Sequence, residues 1–262
     1  MRIRTGDIEV GYDDAGSGAP VVLLHGFPHD RRLWAPQLRG LSQEWRCIAP
    51  DLRGLGESDA GGPYTVDRYA DDVAALLDAL EIERAVVGGL SMGGYITFAF
   101  WRRHPDRARA LILANTRARA DDDEARARRH EMIALARSEG ARAVADRMIE
   151  GSVGKTTRER QPELVRAVHA MFAAAPVEGI VGALEAMLAR PDSTATLSTI
   201  RVPTLIVAGD EDAVVPRREA EAMHAAIPGS QLEVIPGAGH VSNIERPAAF
   251  NAVMSGFLRT LP

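Results

Sequence analysis

The chain has 262 residues, of which 46% are hydrophobic and 26% are charged. This length and composition indicate one large globular domain, or one domain with an inserted segment, and argue against a disordered or fibrous protein. The net charge of −5, from 31 basic and 36 acidic residues, disfavours a nucleic-acid partner, because such proteins usually carry a basic patch.

The predicted secondary structure alternates between strands and helices over most of the chain. Residues 2–14 alternate weakly in polarity, as an antiparallel hairpin does. Short apolar runs predict buried strands at residues 20–25, 46–50 and 85–90, and further strands are predicted at residues 110–114, 204–208 and 231–235. The spacing of apolar residues predicts helices at residues 33–41, 65–80, 92–103, 217–227 and 247–258. This alternation predicts an α/β fold with a mainly parallel, twisted sheet flanked by helices.

The alternation is interrupted once. Residues 117–197 contain no predicted strand, only Ala- and Arg-rich helical segments with breaks at glycines and prolines. An all-helical block between two strands of such a sheet is typical of a lid over its carboxyl edge, where open α/β sheets bind their ligands. We therefore predict a first core part at residues 1–116, a helical lid segment at residues 117–197 and a second core part at residues 198–262.

A candidate nucleophile follows the predicted strand at residues 85–90. The sequence Gly89-Leu90-Ser91-Met92-Gly93 places Ser91 between a buried strand and a helix, as a nucleophile elbow requires. Such a turn is strained, and Gly89 and Gly93 leave room for it because they lack side chains. The N terminus of the next helix also directs partial positive charge at the site. The alternative is that Ser91 is the N-cap of an ordinary helix.

A serine hydroxyl needs a base, and His240 is the best candidate among the seven histidines. His240 follows the last predicted strand, in a Gly-rich turn that opens at the same sheet edge as Ser91. His25 is expected to shape the turn that begins at Gly26. Surface or packing roles are expected for four others, namely His104, His130, His169 and His224.

The base in turn needs a carboxylate that holds its tautomer and stabilises the imidazolium. Asp210, Glu211 and Asp212 all follow the penultimate predicted strand. We predict Asp212, because it lies on the loop proper and can turn toward the loop of the last strand. Asp210 is nearer the strand end and can simply cap the turn, and Glu211 is the least suited. The loop after residues 110–114 offers no carboxylate, since Asn115 stands there.

Ser91, Asp212 and His240 follow the order of nucleophile, acid and histidine that is known for one class of hydrolase. The turn at residues 24–28 and the Gly-rich loop at residues 51–58 add to this pattern. With these motifs at their expected places, the sequence resembles the α/β-hydrolase superfamily over essentially the whole chain.

The resemblance implies that the backbone N–H groups of Phe27 and Met92 form an oxyanion hole. Residues 240–247 and 30–37 are similar to those of the 3-oxoadipate enol-lactonase branch and its small carboxylesterase relatives. The chain departs from the enol-lactonase pattern at residues 26–29, so that both esters and lactones stay open as substrates.

These observations predict a cofactor-free serine hydrolase that cleaves carboxylic esters or lactones through an acyl-enzyme intermediate. Its predicted partner is a small-molecule ester or lactone, and we expect a monomer or a small homo-oligomer. No metal ligand set is predicted. Candidate residues of the pocket wall are Trp34, Val214, Val241, Met171 and Phe172.

Other functions stay open at this stage. The same triad can serve C–C bond hydrolysis or perhydrolysis, and the fold can also serve a ligand-sensing receptor with slow or no turnover. A panel of substrates separates the reactions, and ligand binding without multiple turnover would favour the receptor. Dehalogenase and epoxide-hydrolase chemistry is disfavoured, because those relatives use an aspartate where this chain has Ser91.

Three other motifs carry less weight. Residues 151–157 resemble the end of a phosphate-binding loop, but Ile149 stands where that motif needs glycine, and we predict a linker within the lid. His130-Glu131 lacks a second histidine four residues on, so no zinc site is expected. The arginines at residues 102–129 alternate with acids, which predicts a self-paired, solvated helix face or, alternatively, one contact to an anionic substrate.

Two features bear on the compartment. The single cysteine, Cys47, excludes an internal disulfide bond, so an oxidising compartment is not needed. No apolar run approaches the ~18 residues of a membrane span, and the sequence turns polar directly after Met1. We therefore expect a cytoplasmic protein with no membrane partner.

Overall fold

The computed structural model describes residues 1–262 and contains one eight-stranded sheet. Its strands are β1 (Arg2–Thr5), β2 (Ile8–Ala15), β3 (Ala19–Leu24), β4 (Trp45–Pro50), β5 (Ala85–Leu90), β6 (Ala108–Ala114), β7 (Thr204–Gly209) and β8 (Gln231–Ile235). The order across the sheet is β1-β2-β4-β3-β5-β6-β7-β8. Six strands run parallel, namely β3, β4, β5, β6, β7 and β8. Strand β2 is antiparallel to both β1 and β4.

The central strands are buried on both faces, which explains their continuous apolar sequences. In β3, Val21 and Leu23 pack on one face of the sheet, whereas Val22 and Leu24 pack on the other. All six residues of β5 are buried. Burial of both faces is typical of a parallel sheet that helices cover on each side.

The helices are α1 (Ala35–Leu41), α2 (Val66–Ala79), α3 (Met92–Arg103), α4 (Asp123–Ser152), α5 (Lys155–Arg160), α6 (Pro162–Ala173), α7 (Val177–Ala189), α8 (Thr194–Leu197), α9 (Arg217–Ala226), α10 (Ser242–Glu245) and α11 (Pro247–Arg259). Two short 3₁₀ helices occupy Arg31–Trp34 and Pro105–Arg107. Helices α2 and α3 pack together on one face of the sheet, and α1 and α11 pack together on the other.

The chain between β6 and β7 forms helices only, from α4 to α8. Helix α4 begins at the N-cap Asp122, whose carboxylate accepts the N–H of Ala125, and it bends at Gly140, where φ is 82° and ψ is −176°. It packs against α6 and α7. No single helix has the length and hydropathy of a membrane span, which only α6 and α7 reach when they are joined across a bend of 91°.

The parallel strands determine where functional side chains meet. Because β3, β5, β6, β7 and β8 run in the same direction, the loops that follow them open at one edge of the sheet. Those loops carry Phe27, Ser91, Asn115, Asp212 and His240. This edge is where open α/β sheets place their ligands.

Candidate active site

Ser91 occupies a sharp turn between β5 and α3. Its φ is 55° and its ψ is −113°, a conformation that is strained for any residue other than glycine. A Cβ added at Gly89 would lie 2.1 Å from the backbone of Gly93, and one added at Gly93 would lie 2.3 Å from the carbonyl oxygen of Leu24. The turn therefore requires both glycines, as the sequence pattern predicts.

Two backbone N–H groups beside Ser91 have no acceptor in the protein. Met92 is the first residue of α3, so its N–H has no partner within the helix. Phe27 follows β3, and its N–H donates to no other protein group. A Cβ added at Gly26 would lie 3.2 Å from the Cβ of Ser91, so the turn that carries Phe27 passes beside Ser91. Both N–H groups are therefore available to an oxygen bound next to Ser91.

His240 and Asp212 form a buried hydrogen-bonded pair. The Nδ1 of His240 lies 2.9 Å from Oδ2 of Asp212, and donation by Nδ1 leaves Nε2 free to accept a proton. Oδ1 of Asp212 accepts the N–H groups of Val214 and Val215 at 2.8 and 2.9 Å. Burial raises the pKa of Asp212, but the His240 charge and the hydrogen bonds outweigh it and hold that pKa below its usual value.

Asn115 is the residue of this site that the sequence did not reveal. Its Nδ2 donates to Oδ2 of Asp212 at 2.8 Å and to the carbonyl oxygen of Gly239 at 3.1 Å, and its Oδ1 accepts the hydroxyl of Ser242. Its φ of 47° is one that asparagine tolerates better than most residues. Asn115 thus ties the loop of the acid to the loop of the histidine.

The same contacts connect Ser91 to the Asp212–His240 pair. The N–H of Ser91 donates to the carbonyl oxygen of Ala114 at 2.9 Å, and the next residue, Asn115, contacts both loops. The hydroxyl of Ser91 is hydrogen-bonded to no protein group, and the residue is partly exposed. Hydrogen bonds between a catalytic serine and its histidine often tighten only when substrate binds.

The two other acids of the loop after β7 have different partners. Oδ1 of Asp210 accepts the N–H of Gly237 at 2.6 Å and so caps the turn after β8. Oε2 of Glu211 accepts the N–H of Thr156 in the lid segment at 2.7 Å. Of the three acids that follow β7, the predicted one, Asp212, is the one that contacts His240.

Two other histidines are buried near this edge of the sheet. Nδ1 of His25 donates to the carbonyl oxygen of Gly26 at 2.9 Å, and its Nε2 accepts the N–H of Leu52 at 3.0 Å, so His25 fixes the turn. His29 has no hydrogen-bond partner at either ring nitrogen and packs edge-on against Phe172 of α6. Burial, with repulsion from His25 and His240, lowers the pKa of His29 to about 3. The remaining histidines are half-buried or exposed, namely His104, His130, His169 and His224.

A cavity of about 520 Å³ lies between the core loops and the lid segment. On the core side it is lined by Phe27 and by the loop that follows Asp212. On the lid side it is lined by residues of the loop that follows β6 and of helices α4 and α7. Its full lining consists of Phe27, Arg117, Ala125, Arg128, Arg129, Met132, Met148, Leu184, Ala213 and Val214.

Among the predicted wall residues, Val214 lines this cavity and is 47% exposed. The structure places Trp34 elsewhere, because the 3₁₀ helix at Arg31–Trp34 directs its ring into the core, fully buried against Phe250. Val241 and Phe172 are also fully buried, and Met171 packs against the same core cluster. The sequence missed Met132, Met148 and Leu184, whose helical spacing does not reveal which face meets the cavity.

The segment at residues 153–156, here called the lid linker, contacts the loop of His240. A Cβ added at Gly239 would lie 2.1 Å from the backbone nitrogen of Gly154. The buried carboxylate of Glu245 accepts the N–H groups of both glycines, at 2.8 Å from Gly154 and 2.9 Å from Gly239. A helix rather than a strand precedes this segment, which excludes a phosphate-binding loop. No group of three or more His, Cys, Asp or Glu side chains is arranged to hold a metal ion.

The family model for the alpha/beta hydrolase fold matches residues 19–247. The chain belongs to this family. The 3-oxoadipate enol-lactonase 1 of Acinetobacter baylyi is 32% identical to this α/β-hydrolase over 247 residues, which cover 92% of this chain and 89% of that protein. A thermophilic esterase from Thermogutta terrifontis is 42% identical and matches with a TM-score of 0.96, covering 100% of this chain and 98% of that one. The enol-lactonase from Burkholderia xenovorans LB400 is 32% identical with a TM-score of 0.92, covering 99% and 100%.

These comparisons confirm three predictions, namely the α/β-hydrolase fold, the resemblance to enol-lactonases and esterases, and an ester-hydrolysing enzyme. The roles of individual residues in this α/β-hydrolase stay predictions that the geometry supports. These roles are a triad of Ser91, Asp212 and His240, and oxyanion donors at Phe27 and Met92. The division at residues 116 and 197 likewise stays a prediction.

Proposed function

We propose that this α/β-hydrolase is a serine hydrolase that cleaves carboxylic esters or lactones through a covalent acyl-enzyme. The observation that carries the proposal is the buried hydrogen bond between His240 and Asp212, at the same sheet edge as the strained turn of Ser91. The unpaired N–H groups of Phe27 and Met92 supply the remaining part of such a site.

In the first half of the reaction, Nε2 of His240 accepts the proton of the Ser91 hydroxyl while Oγ attacks the substrate carbonyl carbon. The carbonyl oxygen becomes an oxyanion, which the N–H groups of Phe27 and Met92 stabilise. One such donor typically lowers the barrier by ~3–4 kcal/mol. His240 then gives its proton to the leaving alkoxide oxygen, and the C–O bond breaks to leave an ester on Ser91.

In the second half, a water molecule gives a proton to Nε2 of His240 and attacks the acyl carbon. The tetrahedral intermediate collapses, the proton returns to Oγ of Ser91, and the carboxylic acid leaves. With a lactone, the alcohol and the acid remain in one product molecule. The reaction requires no cofactor.

Asp212 orients His240 and stabilises its charged form during this cycle. It stays ionised, because His240 and the hydrogen-bond donors around it lower its pKa. Its charge stabilises the imidazolium that forms twice in each cycle, and the hydrogen bond to Nδ1 fixes the tautomer that exposes a basic Nε2. The N–H groups of Val214 and Val215 hold its other oxygen, so the carboxylate cannot rotate away.

The relatives support the substrate class at a coarse level. One is named an enol-lactonase and another an esterase, and both match nearly the whole chain. We propose the same choice, a carboxylic ester or a lactone, for this enzyme. A cytoplasmic location and a monomer or small homo-oligomer also remain proposals, which cell fractionation and light scattering test.

The decisive experiment replaces the nucleophile. Hydrolysis of p-nitrophenyl acetate is expected to fall at least about a thousandfold in Ser91→Ala, since triad members act as a unit. A matched control is Ser138→Ala, which removes an exposed hydroxyl on α4 and should leave the rate unchanged. An alkyl fluorophosphonate should add one covalent mass increment to the unaltered enzyme and none to Ser91→Ala. Retained turnover in Ser91→Ala would remove Ser91 as the nucleophile.

A further inference from the structure

The carbonyl oxygen of Ser91 accepts a hydrogen bond from a side chain outside its own helix. The hydroxyl of Thr116 donates to it at 2.8 Å, and Thr116 is 1% exposed. Thr116 is the second residue after β6, so the bond joins the end of one strand to the turn that follows the neighbouring strand. The same oxygen also accepts the N–H groups of Gly94 and Tyr95, at 2.9 and 3.4 Å. The first turn of α3 already satisfies this oxygen, so the bond from Thr116 is an addition to the helix's own pattern.

A glycine provides the space for this bond. A Cβ added at Gly94 would lie 2.4 Å from Oγ1 of Thr116 and 2.5 Å from both its Cβ and its Cγ2. These three atoms of Thr116 are the nearest neighbours of that position. Any side chain at residue 94 would therefore push Thr116 away from the carbonyl of Ser91.

The bond from Thr116 determines the direction of the Met92 N–H. The carbonyl of Ser91 and the N–H of Met92 belong to one planar, trans peptide group, so they point in opposite directions. A donor that holds the oxygen therefore fixes the direction of the N–H. It also polarises the peptide group, which makes the N–H a stronger hydrogen-bond donor. This N–H is one of the two proposed oxyanion donors.

The other proposed oxyanion donor is held in the same way. The N–H of Phe27 shares its peptide group with the carbonyl of Gly26, whose oxygen accepts Nδ1 of His25 at 2.9 Å. Nε2 of His25 accepts the N–H of Leu52, so the proton of the neutral ring is on Nδ1. Both oxyanion peptides thus have a buried side-chain donor at their carbonyl oxygen. The repetition at both donors indicates that the arrangement serves the oxyanion and not only the packing of each turn.

We infer that Thr116 is a positioning residue of the oxyanion hole, which aims and polarises the N–H of Met92 through the carbonyl of Ser91. The inference rests on the proposed ester or lactone hydrolysis and adds a residue to it. Negative charge on the substrate oxygen develops only during the reaction, so loss of the hydroxyl should slow the chemical step without weakening substrate binding. The preceding residue, Asn115, contacts Asp212. Two consecutive residues after β6 then act on the oxyanion hole and on the acid.

The test replaces the hydroxyl of Thr116 by a methyl group. Thr116→Val keeps the packing against Gly94 and removes the hydrogen bond, whereas Thr116→Ser keeps the hydroxyl. In stopped flow, the maximal rate of acylation by p-nitrophenyl acetate should fall about fivefold in Thr116→Val, as expected for one neutral hydrogen bond. The apparent dissociation constant of the substrate should not change. Thr116→Ser should restore most of the rate, and a rate in Thr116→Val equal to that of the original enzyme would overturn the inference.

A thionoester separates the direction of the Met92 N–H from the placement of the Ser91 hydroxyl. In O-p-nitrophenyl thionoacetate, sulfur replaces the carbonyl oxygen, and sulfur is a weak hydrogen-bond acceptor. An oxyanion donor therefore accelerates the oxygen ester more than the thionoester. We expect Thr116→Val to slow the oxygen ester about fivefold and the thionoester less than about twofold. An equal loss with both esters would mean that Thr116 places only the hydroxyl, which would overturn the inference.

Thr97→Val is the matched control. Thr97 is fully buried and donates its hydroxyl to the carbonyl oxygen of Gly93 at 2.9 Å, within the same helix α3. That carbonyl shares its peptide group with the N–H of Gly94, which donates to Ser91 and is not an oxyanion donor. The ratio of the oxygen-ester rate to the thionoester rate should therefore stay as in the original enzyme. A change as large as that in Thr116→Val would overturn the inference.

Two further outcomes are decisive. If Thr116→Val does not fold, as judged by circular dichroism and Tm, Thr116→Ala takes its place, because it also lacks the hydroxyl. Hydrolysis that depends on Ser91, with the same ratio of rates before and after the loss of the Thr116 hydroxyl, would overturn this inference alone. If the unaltered enzyme hydrolyses neither ester, the proposed function fails, and the role of Thr116 in it fails as well.

Discussion

Replacement of Asn115 by glycine tests whether this amide positions the Asp212–His240 pair. Glycine accepts the φ of 47° at this position without strain, so the substitution removes the side chain and leaves the turn intact. Three hydrogen bonds are lost, one of them to the carboxylate of Asp212 and two to the neutral groups of Gly239 and Ser242.

The magnitude follows from these three bonds. A hydrogen bond to a charged group is worth ~1.5–3 kcal/mol and a neutral one ~1 kcal/mol. The free energy of unfolding should therefore fall by about 3–5 kcal/mol. Asp212 keeps its three other hydrogen bonds, to Val214, Val215 and His240. We therefore expect that only the loss of the hydrogen bond from Asn115 to the Asp212 carboxylate raises the reaction barrier. At ~1.4 kcal/mol for each tenfold change, kcat should fall roughly ten- to a hundredfold.

Asn115→Ala separates strain from hydrogen bonding. Alanine in the left-handed region costs ~1–2 kcal/mol more than glycine, so this variant should unfold more easily than Asn115→Gly while its kcat is similar. Urea unfolding gives the stability, and stopped-flow acylation by p-nitrophenyl acetate gives the chemical step. An Asn115→Gly enzyme with the original unfolding midpoint and a kcat within twofold of the original would refute the assigned role.

Three further variants follow from the structure. His29 stays neutral in the folded protein, where its pKa is about 3, whereas in the unfolded chain it binds a proton below pH ~6.5. Lowering the pH from 7.5 to 5.5 should therefore reduce the free energy of unfolding of the original protein by about 1.4 kcal/mol more than that of His29→Leu. Stability from this group is complete above pH ~6.5 and is lost as the pH falls toward 3. Glu245→Ala leaves the N–H groups of Gly154 and Gly239 unpaired, so urea stability should fall by about 2–5 kcal/mol and proteolysis within the lid linker should accelerate. Gly93→Ala places a methyl group against a backbone carbonyl, so acylation should be lost and Tm should fall by several degrees.

Each variant has a matched control. His130→Leu removes an exposed histidine and should leave the pH dependence of unfolding unaltered. Glu245→Gln keeps one acceptor oxygen, so its urea stability should lie between that of the original protein and that of Glu245→Ala. Gly256→Ala adds a methyl group in open space on α11 and should not reduce Tm. A control that behaves like its test variant would contradict the corresponding argument.

The parts of the site that depend on local sequence were predictable. The elbow at Ser91 is one of them, because its glycines are required by contacts within a few residues and by one neighbouring strand. The position of His240 follows from the strand that precedes it. The parallel sheet follows from apolar runs alternating with helices, since the central runs, such as β5 and β7, are buried on both faces.

The parts that depend on the path of a loop were only partly predictable. Spacing alone does not decide among Asp210, Glu211 and Asp212, whose carboxylates have three different partners, and only its place on the loop proper favours Asp212. Asn115 has no carboxylate, and its role depends on contacts with two loops that are distant in sequence, so the sequence does not single it out. The prediction of Trp34 as a wall residue is wrong, because a helix pattern at residues 33–41 does not reveal the 3₁₀ turn that directs its ring into the core.

The contact between Gly154 and Gly239 has a consequence for protein engineering. Exchange of the lid segment for that of a relative is an obvious route to new substrate preferences. Here the two backbones touch so closely that neither position accepts a larger residue, and Glu245 joins them. A chimera with its junctions at residues 117 and 197 would import a foreign residue 154 into this contact. A chimera that keeps glycine at both positions would change the cavity and leave the Asp212–His240 pair in its original alignment.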